Sequence, residues 1–263
     1  MSGIFVTNRL VHYESLGRGS PILFLHGWLG SWRYWVPVMD ELSGEHRTYA
    51  LDLWGFGDSD GWAPHDDVDD YVDLVTAFMD QLGVWRTPLV GHTLGAAVAA
   101  RMAVRHPERV VKVMAIGLPL TAEAINRKLL APGSNEALAR LFWHRQKPYP
   151  EVDLAASKTA DNVLAQTISA VAGMNLHEMV EEVDVPMLTV YGEKDPVIDG
   201  ALAHDVETDH SVARAIVLPG THHFPMLDQP ATFTRLLRDF MDVEDQEDLL
   251  QLSIKKEWRR RTR

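Results

Sequence analysis

The chain contains no cysteine. That excludes disulfides, thiolate metal sites and a cysteine nucleophile together. It also lacks any apolar run near the roughly 18 residues that a membrane helix needs, so no membrane span is expected. Basic charge is in deficit, with 25 Lys and Arg against 37 Asp and Glu and a net charge of −12. A general nucleic-acid binder needs a basic face to displace counterions, so no nucleic-acid partner is expected. The opening residues, "MSGIFVTNRLVHYES", have no basic start followed by an apolar stretch, which makes a secretory leader unexpected and a cytoplasmic location the expectation. No H-E-x-x-H, G-x-G-x-x-G or phosphate-loop lysine is present, so neither a metal nor another cofactor is expected.

With 263 residues, 46% of them hydrophobic and 24% charged, the composition is that of an ordinary globular protein. Short apolar runs bounded by turn residues recur at 21–27, 47–55, 87–92, 110–117, 186–192 and 214–220. They are continuously apolar rather than alternating, as strands covered on both faces are. Helical patterns lie between most of them, at 32–43, 68–83, 94–105, 199–210 and 230–242, and residues 4–15 read as one or two extra antiparallel strands. Alternation of this kind predicts an α/β fold, a mostly parallel central sheet flanked by helices. Between "MAIGLP" and "VPMLTVYG" the rhythm stops for roughly 65 residues, which offer only helical patterns such as 136–146 and 161–174. The expected organisation is a core of 1–118 and 185–242, a helical cap of 119–184, and a charged C-terminal tail of 243–263. Charge runs like those of the tail are usually solvated, and only Trp258 among its basic residues favours docking.

The absence of most consequence is a single serine. "LVGHTLGAAVAARM", Leu89–Met102, is a strand running through a tight turn into a helix, the layout of the nucleophile elbow G-x-S-x-G. Its central residue is Thr93. Elbow backbones are strained, and a β-branched residue at such a position costs about 1–3 kcal/mol. Threonine is nonetheless able to serve as a nucleophile when a neighbouring base takes its proton.

"HGWLGS" (26–31), "LDLWGFGDS" (51–59), "GHTLG" (91–95), "YGEKDPVI" (191–198) and "GTHHFPMLDQP" (220–230) follow in an order and spacing that resemble the α/β-hydrolase superfamily, of the capped lipase/esterase-like kind. The resemblance spans roughly residues 10 to 242. It implies an α/β-hydrolase fold with Thr93 at the nucleophile position, Asp195 as the acid and His223, just before Phe224-Pro225, as the general base. The backbone N–H groups of Trp28 and Leu94 would form the oxyanion hole. His222 is the competitor for the base, and the family spacing favours His223. His26 is read as a hydrogen-bonded structural histidine, His92 as packing under the elbow, and Asp52, Gly55, Gly57 and Ser59 as loop support. Trp28, Trp32 and Trp35 are read as pocket wall and core.

Three functions compete. The first is hydrolysis of a small or medium hydrophobic carboxylic ester, thioester or lactone through a Thr-His-Asp triad, with that small molecule as the partner. The second is a ligand-binding protein that kept the fold and lost the chemistry. The third is a general-base catalyst that forms no acyl-enzyme. The presence of both Asp195 and His223 favours an enzyme.

Overall fold

The computed structural model describes residues 2–61, 67–130, 149–200, 213–255 and 258. Eight strands form one sheet: β1 (Ser2–Val6), β2 (Arg9–Gly17), β3 (Ser20–Leu25), β4 (His46–Leu51), β5 (Thr87–His92), β6 (Val110–Ile116), β7 (Met187–Gly192) and β8 (Ala213–Leu218). Their order across the sheet is β1-β2-β4-β3-β5-β6-β7-β8. The first two are antiparallel additions, and β3 to β8 pair in parallel. Every residue of β7 is buried, which is why this strand reads as a continuous apolar run.

Parallel pairing obliges the chain to return over a face of the sheet between strands, and helices supply the return. They are α1 (Val36–Leu42), α2 (Val68–Gln81), α3 (Leu94–Arg105), α4 (Pro150–Lys158), α5 (Asp161–Ala172), α6 (Leu176–Glu181), α7 (Pro225–Asp228), α8 (Pro230–Met241) and α9 (Gln246–Ile254). The pattern at 32–43 divides into a 3-10 turn, Trp32–Trp35, and α1. Pro37 sits in the first turn of α1, where its missing N–H is tolerated and a continuous helix through it would not be. α2 begins at Asp67, whose carboxylate accepts from Asp69 N–H, and a two-pronged pair from Arg101 to Asp69, at 2.7 and 2.9 Å, ties α3 to it.

Between β6 and β7 the described residues contain two 3-10 turns, α4, α5 and α6, and no strand. Several contacts tie this interval to the core. Lys158 donates to Asp58, Tyr149 donates to Asp228, and Val163 lies against Gly55. The helical patterns expected at 136–146 and over most of 199–210 lie outside the described residues.

Beyond α8 the described residues are mostly exposed, with a few apolar side chains packed inward. Val243, Leu249, Leu252 and Trp258 are all buried. The Lys112 ammonium donates to the carbonyls of Phe240, Met241 and Val243, supplying a donor at a helix end, where carbonyls run short of N–H partners.

Candidate active site

The C-terminal edge of a parallel sheet is where its loops gather, and ligands of open α/β sheets bind there. β3, β5, β6 and β7 deliver Gly27, Thr93, Gly117 and Asp195 to this edge, and the loop after β8 brings His223. Thr93 stands between β5 and α3 with φ 43° and ψ −101°. For a β-branched residue this is a strained conformation. It is held by Thr93 N–H donating to Ile116 O at 2.8 Å and Ala97 N–H donating to Thr93 O at 3.0 Å. The turn also needs glycine at its flank, since a side chain on Gly95 would collide with the carbonyls of Leu25 and His26.

His223 and Asp195 form a buried pair. His223 Nδ1–H donates to Asp195 Oδ2 at 2.8 Å, with the side chains 1% and 2% exposed. The other oxygen of Asp195 accepts from Val197 N–H at 2.7 Å and Ile198 N–H at 3.2 Å. Donation from Nδ1 fixes the tautomer and leaves Nε2 with a lone pair. Thr93 comes to the same spot. A carbon built on Gly117 would lie 3.5 Å from Thr93 Cγ2 and 3.9 Å from both Asp195 Oδ2 and His223 Cε1. His222 points elsewhere: its side chain is 40% exposed and Nδ1 is 3.4 Å from Asp228.

The threonine hydroxyl does not face the pair. Thr93 Oγ1 accepts from Trp28 N–H at 3.2 Å and makes no hydrogen bond to His223 Nε2, while Cγ2 lies on the Gly117 side. The Gly27–Trp28 peptide is itself oriented by its carbonyl, which accepts from His26 Nδ1–H at 2.9 Å and Gly30 N–H at 3.0 Å. With the carbonyl turned that way, the N–H on the other side of the same peptide points at the elbow. Leu94 N–H belongs to the first turn of α3, where the helix offers it no acceptor.

His26 Nε2 accepts from Leu53 N–H at 2.9 Å, so both ring atoms are used. Burial pushes its pKa down to about 4, with the Gly27 hydrogen bond opposing. His26 is a neutral orienting group, as the sequence suggested. Asp52 behaves as loop support, accepting from Trp32 N–H at 2.7 Å and Asp58 N–H at 2.8 Å, while Ser59 Oγ–H donates to Asp52 O at 2.6 Å. Among the described residues His12, Asp52 and Asp58 bring ligand-type atoms within 4.8 Å of one another. Arg33 and Lys158 both pair with Asp58, and two cations there disfavour a metal ion. Trp28 and Trp35 are buried, and Trp35 packs on Phe24 at 5.0 Å between ring centres.

The model of the alpha/beta hydrolase family matches residues 22–236, from β3 into α8. The chain belongs to the alpha/beta hydrolase family. Its relatives within that family carry different chemistries. A pimeloyl-[acyl-carrier protein] methyl ester esterase of Shewanella woodyi is 26% identical over 88% of this chain and 98% of its own length. Epoxide hydrolase 3 of Xenopus tropicalis is also 26% identical, over 88% of this chain and 74% of its own. Among solved structures, the enol-lactonase of Burkholderia xenovorans LB400 superposes with a TM-score of 0.79 at 19% identity, covering 92% of this chain and 100% of that one. The α/β-hydrolase fold is shared with all of them, and the reaction is set by the residues at the sheet edge.

Sequence reasoning passed over one residue of this hydrolase-family site. Tyr34, 0% exposed, accepts Gly27 N–H at 2.7 Å and reaches His92 Nδ1 at 3.2 Å. Its only sequence signal is a tyrosine inside a tryptophan-rich turn, which says nothing about a partner 58 residues away.

Proposed function

We propose that this chain hydrolyses a small or medium hydrophobic carboxylic ester, thioester or lactone, with Thr93 as nucleophile, His223 as general base and Asp195 as its orienting acid. The observation that carries the proposal is the buried 2.8 Å bond from His223 Nδ1–H to Asp195, set beside a strained elbow residue. A carboxylate behind the imidazole stabilises the imidazolium that forms when the base takes a proton. The names of two relatives, a methyl ester esterase and an enol-lactonase, concern carboxylic ester bonds. The helical interval of 119–184 serves as the cap over the sheet edge in this reading.

In the first step Thr93 Oγ attacks the acyl carbon and its proton passes to His223 Nε2. The carbonyl oxygen, now negative, is held by Trp28 N–H and Leu94 N–H. One such donor is worth about 3 kcal/mol. The leaving alcohol or thiol takes the proton from His223, and water activated by the same imidazole then cleaves the acyl-threonine. The resting hydroxyl has to turn before this can start. Rotation by about 120° about χ1, one staggered well to the next, carries Oγ1 into the present methyl site. The methyl then occupies the site of Hβ, and Trp28 N–H is released for the substrate oxygen.

A second reading rests on the same hydroxyl. With Oγ1 on Trp28 N–H and the methyl on the Gly117 side, His223 can activate water directly on the substrate, without an acyl-enzyme. A panel of p-nitrophenyl esters of increasing chain length separates the two on wild type, Thr93→Ala and Thr93→Ser. Covalent catalysis predicts that Thr93→Ala loses activity by about a thousandfold. It also predicts that Thr93→Ser gains about tenfold in kcat/KM as roughly 1.4 kcal/mol of strain and crowding is relieved. Equal rates for wild type and Thr93→Ala select the water mechanism. No turnover by any of the three across the panel sinks the hydrolase reading.

A further inference from the structure

Besides the loop carrying Asp195, the parts of the site lie on three distant stretches of chain: the Gly27–Trp28 peptide after β3, the elbow after β5, and the loop carrying His223. A side-chain pair that belongs to none of the catalytic roles joins all three. Gly27 N–H donates to Tyr34 Oη at 2.7 Å. Tyr34 Oη and His92 Nδ1 are 3.2 Å apart, and His92 Nε2 is 2.8 Å from the carbonyl oxygen of His223.

The direction of every bond is determined. A carbonyl can only accept, so His92 carries its proton on Nε2 and Nδ1 is an acceptor. Tyr34 therefore donates to Nδ1, and its oxygen lone pair takes Gly27 N–H. Both side chains are 0% exposed. Burial, then the neighbouring His223, push the His92 pKa well below the usual histidine range. Burial likewise raises Tyr34. Neither residue changes charge in the working range, so the chain of bonds keeps one polarity. The His92 ring also lies 4.6 Å between centres from that of His223, tilted by 52°, and a neutral ring is the form that tolerates an imidazolium there.

From this geometry we infer that Tyr34 and His92 are positioning residues that lock the oxyanion peptide, the elbow and the base-bearing loop into one register. The inference rests on the reading of His223 as the base. Gly27 N–H lies one peptide before the Trp28 N–H that would hold the oxyanion, and the His223 carbonyl belongs to the residue whose imidazole moves the proton. A shift of either end misaligns donors that act over a few tenths of an ångström.

Two substitutions cut the same link. Tyr34→Phe removes the hydroxyl and keeps the ring. His92→Gln keeps a donor for the His223 carbonyl, because its amide nitrogen reaches the Nε2 position, and loses the acceptor for Tyr34. Positioning predicts that each lowers kcat on the best p-nitrophenyl ester by tenfold or more with KM within twofold. It also predicts that the double variant falls no further than the weaker single one, because both changes break one chain. Multiplying losses, or a change in KM and melting temperature with kcat intact, overturn it.

A readout independent of turnover keeps this inference distinct from the hydrolase reading. The Nδ1 proton of His223, hydrogen-bonded to Asp195, is observed by NMR in wild type and in both single variants. Displacement of that resonance in both variants supports the coupling even if wild type cleaves no ester. An unmoved resonance overturns the coupling whatever the activity.

Discussion

His222 and His223 are neighbours in sequence and opposites in environment. One is 40% exposed beside Asp228, and the other is 1% exposed and bonded to Asp195. His223→Ala is expected to abolish ester hydrolysis, a loss of a thousandfold or more. His222→Ala is expected to stay within about threefold, because its backbone N–H, not its ring, makes the short 2.6 Å bond to Asp228. Steady-state kinetics on the two purified variants check this, and the reverse ranking would reassign the base. The pair of histidines was legible in the sequence only through the motif that follows, Phe224-Pro225. The hydroxyl direction of Thr93 was not legible at all. A rotamer is chosen by what surrounds it, here Trp28 N–H from 65 residues away, and no local pattern encodes that contact. The same holds for His92, whose carbonyl partner lies 131 residues along the chain.

At the scale of elements, β5 and α3 have the limits the sequence implied, Thr87–His92 and Leu94–Arg105. A buried strand and an Ala-rich helix meeting at a glycine-flanked turn leave little choice of boundary. The C-terminal segment was read less well because its charges dominate the pattern. Leu249 and Leu252, 1% and 2% exposed, form only a narrow apolar stripe within an acidic helix. Trp258 Nε1–H donates to Asp239 at 3.1 Å, and the Arg235 guanidinium lies 4.9 Å over its ring. Both partners sit on α8 one turn apart, so Trp258 fastens α9 to a helix of the core. Trp258→Ala is expected to cost about 3 kcal/mol, the low end for a buried tryptophan. For a chain of this size that lowers the melting temperature by roughly 8 °C. Calorimetry that finds an unchanged transition would show that the segment contributes nothing to the fold.

The same scale holds an acid-sensitive tie between α4 and the loop after β4. Burial raises Asp58, but hydrogen bonds from Lys158 and Arg33 outweigh it and hold the carboxyl at about 2. A carboxyl depressed in the folded state stabilises above its unfolded pKa, near 4, and loses that contribution as pH falls through its folded value. Limited proteolysis between residues 119 and 184 is expected to stay slow down to about pH 4 on this account and to quicken as the pH falls toward 2. Asp58→Asn should cleave quickly already at neutral pH. Equal cleavage of the two proteins at pH 7 would remove the tie from the account of how the interval is held.

For the whole molecule, buried groups with displaced pKa values act below neutrality, and they act in both directions: burial lowers two histidines and raises Asp52 to about 7. His26 is pushed down to about 4 and His92 well below its usual value, in both cases chiefly by burial. In the unfolded chain each returns to 6.5. Between that value and the folded one the unfolded state binds protons that the folded state refuses, so stability rises with pH and is lost on acidification. The folded bonds give the reason. A second proton on His26 would fall on Nε2, against Leu53 N–H, and one on His92 would fall on Nδ1, against the Tyr34 hydroxyl. Each group contributes a slope of about 1.4 kcal/mol per pH unit within its window. Asp52 binds its proton first in the folded state and offsets one such slope. Urea unfolding measured from pH 7 to pH 4.5 is therefore expected to show a net fall of about one proton's slope below about pH 6.5. In His26→Gln the amide oxygen can still accept Leu53 N–H while the titrating ring is gone. That variant should be weaker at pH 7, having lost the bond to the Gly27 carbonyl, yet its slope should shrink by about one proton. An identical slope in both proteins would mean that His26 is protonated as readily folded as unfolded. The fixed orientation of the Gly27–Trp28 peptide, on which the proposed oxyanion hole depends, would then need another cause.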